Sequence, residues 1–343
     1  MAERATYGAS TDGNATKAAI DAMMKLYNET TGIWDENPWW ESGVALGAIT
    51  EYMLNTGSED YLPQAENTVN IQRAPVPWWP EGGGDFRGDS TDDTGWWALA
   101  LASLYQLTGN STYLDIAKED EAYMFKYWNT STCNGGLIWN IPNRTYHNAI
   151  SNELYLELTA TLHNLIPGDE YYLNQSLLEW NWFKVSGMIN SEHLVNDGLT
   201  TDEACVNNDY PTWTYNQGVI LSGLVQLSNA TGNSSYLDTA KLIADAVVNN
   251  ATLSPDGILT EPCTENCDSN VPEFKGSFIR GLSKLDAALG GHRYASYIQA
   301  NAQSAYDNAR NGSDFYGYRW QGPFDNASIG RQESAVYLMM AAW

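Results

Sequence analysis

The segment Leu107–Leu114, "LTGNSTYL", closes one apolar run with glycine and opens the next with a Ser/Thr/Asn cap and a tyrosine. The same device returns as "LNTGSEDYL" (Leu54–Leu62), "LIPGDEYYL" (Leu165–Leu173) and "ATGNSSYL" (Ala230–Leu237), with "LGGHRYASYI" (Leu289–Ile298) as a looser fifth copy. Glycine after an apolar helix and a small polar residue before the next are stop and start signals, so each copy reads as a tight helix–helix turn. Recurrence of one turn along a chain marks a repeat architecture.

Working outward, each turn is preceded by a run that is apolar on nearly every face, such as "WWESGVALGAITEYML", "DDTGWWALALASLYQL" and "YNQGVILSGLVQLS". A helix of that kind is buried on all sides. The runs after the turns, such as "SSYLDTAKLIADAVV", are amphipathic and suit an outer layer. "TKAAIDAMMKLYNET" supplies a further outer helix near the start, and "RQESAVYLMMAAW" a last inner one at the end. With Trp40, Asp93, Asn152, Asn216, Gly276 and Glu333 marking the inner starts, the intervals run from 53 to 64 residues. Six inner and six outer helices in alternation describe an all-α (α/α)6 barrel, read as one domain over residues 1–343. An open solenoid shares the hairpin repeat.

In such a barrel the inner helices are parallel, so their amino ends meet at one rim. The residues there include Trp39, Trp40, His147, Asn148, Asn152, Trp213, Tyr215, Asn216, Gln217 and Lys275, the composition of a sugar-binding pocket. Arg280 is read with them. Long segments lead to this rim: 76–89, 133–147, 196–213, 253–273 and 311–328. Loops of that length with Trp, Tyr and Gly content point to function.

One rim segment stands apart. "GDFRGDSTDDTGWW" places Asp85, Asp89, Asp92 and Asp93 within nine residues, two of them adjacent at a helix start. Helix capping accounts for a single acid there. It does not require a neighbouring pair. Glycoside hydrolysis does require two carboxyl groups, one to protonate the leaving oxygen and one to attack or to activate water. Adjacent helical positions point about 100° apart, which suits the shorter carboxyl separation of retaining enzymes. One ionised aspartate raises its neighbour's pKa, so mutual repulsion can divide the two roles.

Composition narrows the partner. The 343 residues carry a formal charge of -25, which excludes nucleic acid and an anionic membrane surface as partners. Fourteen Trp and 21 Tyr favour stacking on sugar rings. Eleven Asn-x-Ser/Thr sequons, at Asn14, Asn28, Asn110, Asn129, Asn143, Asn174, Asn229, Asn233, Asn250, Asn311 and Asn326, suggest a secreted glycoprotein. Four cysteines in an oxidising compartment allow three pairings; Cys133 with Cys205 and Cys263 with Cys267 are favoured. No apolar run reaches membrane-spanning length, and "MAERATYGAS" has no signal-peptide core, so Met1 is read as standing in place of a removed signal.

Competing motifs are weak. "EGGGDFRGDS" lacks the Gly-Lys-Ser/Thr of a phosphate loop, and the four histidines show no metal spacing. "CTENCDSN" lacks the EF-hand pattern. No metal or other cofactor is expected.

The successive motifs "GDSTDDTGWWALA", "CNGGLIWNI" with "YHNAISNELYLELTATL", "WTYNQGVILSGL", "FKGSFIRGL" and "IGRQESAVYLM" resemble the signatures of glycoside hydrolase family 76, in order, from about Trp39 to the carboxyl end. The resemblance implies an (α/α)6 barrel, a retaining double displacement, Asp92 as nucleophile and Asp93 as general acid/base. It also implies an α-1,6-linked mannose substrate, in mannan or in the mannose core of a glycosylphosphatidylinositol glycan. The chain differs from the family pattern at Glu153 and His147, both read as cleft-rim positions. Asp85, Asp89 and the rim residues above are candidate sugar contacts. The protein is expected as a monomer outside the cell, at the wall or outer membrane surface. Two other readings use the same features: a mannan-binding wall protein without turnover, and another (α/α)6 glycosidase. Transfer to a glycan acceptor in place of water is a variant of the first.

Overall fold

The computed structural model describes residues 13–34 and 38–342. The amino-terminal decapeptide, on which the signal reading rests, lies outside them. Twelve α-helices alternate along the described chain. The inner set is α2 (Trp39–Thr56), α4 (Thr91–Thr108), α6 (Ala149–Leu165), α8 (Thr214–Thr231), α10 (Phe274–Leu289) and α12 (Ile329–Ala341). The outer set is α1 (Gly13–Met24), α3 (Leu62–Gln72), α5 (Ser111–Phe125), α7 (Tyr171–Phe183), α9 (Ser235–Val248) and α11 (Ala295–Ser304). A short antiparallel ribbon, β1 (Tyr27–Asn28) with β2 (Ile33–Trp34), joins α1 to α2.

Each inner helix packs against the next, and α12 packs against both α2 and α1. The ring is therefore closed, and the solenoid alternative is excluded. The Gln332 amide completes the seam by donating to the Ala19 carbonyl at 2.8 Å.

The sequence pattern explains the layers. In α4 the whole run Thr94–Ala102 is buried, as a helix between an outer layer and a filled barrel must be. In α9 the buried set is Ala240, Ile243, Ala244 and Val247, the one-stripe spacing of an outer helix. The predicted turns form as read: α2, α4, α8 and α10 each end on a left-handed glycine, Gly57, Gly109, Gly232 and Gly290. The turn after α6 differs, because Pro167 holds the chain extended at Ile166 and the left-handed residue is displaced to Gly168.

One close approach has no tolerance. A Cβ on Gly281 of α10 would sit 2.0 Å from the Gly218 carbonyl oxygen of α8, and one on Gly218 would sit 2.3 Å from the Phe278 Cα. Backbone meets backbone there, so no side chain can rotate away.

The long connections reach the mouth and are fastened by the first turns of the inner helices. Ser42 Oγ accepts from the Trp34 amide and donates to its carbonyl. Thr94 Oγ1 accepts from Gly88 N at 3.1 Å. Asn152 pairs with both backbone groups of Leu137, Gln217 with both of Val195, and Gln332 with Tyr316 N and Asp314 O. The segment before α10 is held from outside, where the Asn301 side chain accepts from Leu259 N at 2.7 Å. Both favoured disulfides are formed. Cys133–Cys205 ties the wall before α6 to the wall before α8, and Cys263–Cys267 closes a loop of the wall before α10.

Gly281→Ala is expected to lower unfolding stability by about 3 kcal/mol, the upper part of the overpacking range, measured by chemical denaturation. Loss below about 1 kcal/mol, the lower end of that range, would contradict the rigid α8–α10 contact.

Candidate active site

The mouth is built on α4. Ser90 is its N-cap in extended conformation, and Asp92 and Asp93 follow in the first turn. The cap hydroxyl makes no hydrogen bond to the helix backbone. Instead the Ser90 side chain bonds to the carboxyl groups of both Asp92 and Asp93. Each aspartate remains partly open to solvent.

Their surroundings are unequal. Burial raises the pKa of Asp92 to about 6, against hydrogen bonds from Ser90, from the backbone N–H groups of the helix start and from the Trp139 side chain. Asp92 Oδ1 accepts from Asp93 N at 2.9 Å. Burial also raises Asp93, well above the usual carboxylate range, and the charge of Asp92 raises it further, with Asp89 adding to the effect and only Ser90 opposing. At neutral pH the pair therefore holds its proton on Asp93 and its charge on Asp92. One turn of helix thus presents a carboxylate beside a carboxylic acid.

Trp139 was not singled out from sequence. Its backbone explains its position: its carbonyl accepts from Thr91 N at 3.0 Å and its amide donates to the Tyr146 carbonyl at 2.8 Å. The Tyr146 ring lies edge-on to the Trp139 ring at 6.2 Å, and its hydroxyl donates to Asp197. The Tyr146 oxygen accepts from Asn208 Nδ2 at 2.8 Å.

The predicted residues divide into those near the pair and those that build the walls. Gly88 packs between Asp93 and Trp39: a Cβ on Gly88 would lie 3.5 Å from both the Asp93 Cβ and the Trp39 ring. Trp39 and Trp40 are only 7% and 8% exposed, and their indole N–H groups donate to Gln72 and Asn270. They form the core under the cleft, contrary to the expectation of open stacking faces. Among the described residues the exposed aromatic rings are Trp78, Trp139, Tyr171 and Tyr210. Tyr215 is at the site, where burial and the charges of Asp197, Asp92 and Glu153 push its pKa up. It stacks on Phe274 at 3.8 Å, and Trp213 meets the same ring edge-on at 5.8 Å. Asp89 contributes its charge to Asp93 and its carbonyl to Ile141 N.

Others point elsewhere. Asp85 is ion-paired with Arg73 at 2.9 Å. Asn148 caps α6 by accepting from Ser151 N. The amides of Asn152 and Gln217 are occupied by the backbone pairing described above, which leaves them as wall anchors. Asn216 is fully buried and its side chain makes no hydrogen bond. His147 and Glu153 are also buried, below the rim where they were expected. Burial lowers the His147 pKa to about 4, which leaves the ring neutral at pH 7, and raises that of Glu153 well above normal, which favours its protonated form. Lys275 is buried beside Tyr318 and Trp320. Arg280 reaches inward from the middle of α10 instead of standing at its start. Among the described residues no cluster of His, Cys, Asp or Glu has the arrangement to hold a metal ion.

The profile of glycosyl hydrolase family 76 matches residues 12–343. The chain belongs to that family. A putative mannan endo-1,6-alpha-mannosidase of Schizosaccharomyces pombe is 28% identical, the match covering 96% of this chain and 78% of the relative. A mannan endo-1,6-alpha-mannosidase of Eremothecium gossypii is 27% identical over 86% of this chain and 69% of its own length. The fold is shared with an α-1,6-mannanase of Salegentibacter, solved as an inactive variant with two consecutive aspartates changed to alanine and with α-1,6-mannotetrose bound. Its TM-score is 0.86 at 22% identity, over 97% of this chain and 99% of the other. The Dfg5 protein of Chaetomium thermophilum, in complex with glucosamine, gives 0.84 at 20% identity, over 98% and 92%.

Trp139→Phe removes one of the hydrogen bonds that hold Asp92 down, so the Asp92 pKa is expected to rise above about 6. Carboxyl-carbon NMR titration reads this directly, and an unchanged value would show that the indole does not reach the carboxylate.

Proposed function

We propose that this family 76 member is an extracellular, retaining endo-α-1,6-mannosidase with Asp92 as nucleophile and Asp93 as acid/base. The observation that carries the reading is the division of one proton between adjacent carboxyl groups in the first turn of α4. Two facts support it. The chain contains a single Asp-Asp pair, and the Salegentibacter protein loses activity when two consecutive aspartates are replaced. The names of the fungal relatives supply the linkage.

In the first half-reaction the Asp92 carboxylate attacks the anomeric carbon while Asp93 gives its proton to the glycosidic oxygen. The C–O bond breaks, the shortened glycan leaves, and an ester joins mannose to Asp92. Asp93, now ionised, takes a proton from water, and the hydroxide portion attacks the same carbon and releases Asp92 as carboxylate. Configuration is retained because the carbon is inverted twice. Burial of the pair serves both halves, since Asp93 must alternate between acid and base.

The extracellular assignment rests on the two disulfides and on exposed sequon residues such as Asn110 and Asn233. Six sequon asparagines, Asn28, Asn110, Asn129, Asn233, Asn250 and Asn311, accept a hydrogen bond from the amide two residues on. That Asx-turn favours the same Asn-x-Ser/Thr spacing on structural grounds. Sequon number alone therefore overstates glycosylation. No helix of the described residues is long and apolar enough to cross a membrane.

On α-1,6-mannooligosaccharides, kcat/KM should fall below pH about 6 as Asp92 gains a proton, and again at higher pH as Asp93 loses its own. Asp93→Asn should lower kcat by about 10²–10⁴-fold, the worth of general acid catalysis, and remove the alkaline limb. Proton NMR of the first-formed sugar decides the stereochemistry: a β-anomer as the initial product would refute the double displacement. Mannan binding without release of reducing ends, equal in the parent and in Asp92→Asn, would instead establish a binding protein.

A further inference from the structure

Six of the eleven sequons have the structural reason given above, because an Asx-turn asks for the same spacing. Asn174, in Asn174-Gln175-Ser176, has no such reason. It lies in the first turn of α7, where its amide donates to the Glu170 carbonyl at 3.1 Å as a helix requires, and its side chain is exposed. Asparagine is a poor helix former. Neither propensity nor packing therefore accounts for it.

The face on which it stands is unlike that of the other outer helices. Inward, Tyr172, Ser176, Glu179, Trp180 and Phe183 pack α7 on the barrel. Outward, exposed residues follow at alternating intervals of three and four: Tyr171, Asn174, Leu178, Asn181 and, just past the helix end, Val185. Tyr171, Leu178 and Val185 are 47%, 41% and 74% exposed, and among the described residues no other helix carries even two exposed large apolar side chains. Single exposed apolar residues need no explanation, whereas a row of them forms a patch that does. Positions three and four apart are neighbours on a helix surface, about 5–6 Å between Cβ atoms. Asn174 thus sits between Tyr171 and Leu178, at the centre of the apolar row.

We propose that Asn174 is N-glycosylated and that its glycan lies along α7, covering Tyr171 and Leu178. The proposal rests on the extracellular reading. The donor is an oligosaccharide carried on a lipid diphosphate: Asn174 Nδ2 bonds to the anomeric carbon of the first sugar, the C–O bond to the diphosphate breaks, the lipid diphosphate leaves with that oxygen, and Nδ2 gives up one proton. The Ser176 hydroxyl of the sequon is buried in the folded protein, where it donates to the Leu173 carbonyl at 2.9 Å. Attachment therefore precedes the folding of α7. Once folded, the helix offers the sugar a fixed platform, since the Tyr171 hydroxyl bonds to the Gln175 and Glu121 side chains and its ring meets that of Tyr172 edge-on at 5.0 Å. A bulky, solubilising group at that point replaces contact of the apolar row with water or with another chain. A protein partner fits less well, because it would meet the sequon at the middle of its footprint.

Secretion of the full chain from a host that N-glycosylates, followed by peptide mass mapping before and after amidase release of the glycans, tests it. The Asn174 peptide should carry sugar and should convert from asparagine to aspartate on release. Asn174→Gln should lose that glycan, raise the fluorescence of a hydrophobic dye and raise self-association in sedimentation. Adding Leu178→Lys should reverse the last two. Asn174 follows the α6–α7 turn, at the end of the barrel away from the mouth, so kcat/KM on α-1,6-mannooligosaccharides should not change in either variant. A bare Asn174 on a chain glycosylated at other sequons overturns the site alone. An occupied Asn174 whose loss alters neither dye binding nor self-association overturns the covering role. A chain with no occupied sequon overturns this proposal and the extracellular reading together.

Discussion

Strict alternation of inner and outer helices forces all six inner helices to run in the same direction, and the chemistry of the molecule follows from that constraint. Six amino ends with free N–H groups and partial positive charge meet at the mouth. Negative charge is favoured there, and the N–H groups of the α4 start bond to the Asp92 carboxylate. The opposite ends accumulate carbonyl groups and favour cations. Deeper in the barrel, Arg280 and Lys284 of α10 are paired with Glu51 of α2 and Glu157 of α6. Those three helices alternate around the ring, so the ion pairs span its interior. The Lys284 and Arg280 charges hold Glu51 down, to a pKa of about 2, against burial.

Other acids of the barrel are treated oppositely. Glu153, Glu179 and Glu333 are fully buried, none of their carboxyl oxygens finds a hydrogen bond, and burial raises each pKa well above normal. Burial favours their protonated form. This matters for the pair on α4, because an ionised Glu153 would repel Asp92 through a weakly screening interior and raise its pKa too. The barrel keeps the carboxylates of its interior paired or protonated, and leaves free negative charge where sugar would meet it.

How much of this the sequence conveys depends on whether a residue's role is local. The turn glycines and the all-round apolar runs act within their own helices, and the ring of twelve was legible from them. The Asp92–Asp93 pair was legible because side-by-side acids have no ordinary capping explanation. The amides were not. Asn152 and Gln217 have the same chemistry whether they face a sugar hydroxyl or a peptide group, and only the tertiary path of the wall shows that Leu137 and Val195 claim them. The tryptophans failed for a related reason. Trp39 and Trp40 open a buried helix and belong to its packing, whereas Trp78 and Trp139 sit in loops with no period to bury them, a signal present in "PVPWWP" and "GLIWN". His147 and Glu153 were placed at the rim by position in the motif; burial decides otherwise.

The two aspartates are chemically identical and adjacent, so their difference must come from what surrounds them. Ser90 serves both. The helix-start N–H groups and Trp139 serve Asp92 alone, and Asp93 receives instead the repulsion of Asp92 and Asp89. Of these, only Trp139 comes from outside the segment Asp89–Asp93. It rides on the wall before α6, which is fastened to the barrel through Asn152 and to the wall before α8 through Cys133–Cys205. That second wall carries Asp197, held by the Tyr146 hydroxyl beneath the Trp139 ring edge. The asymmetry that leaves one carboxyl charged and its neighbour protonated is thus set partly by how two loops are tied down.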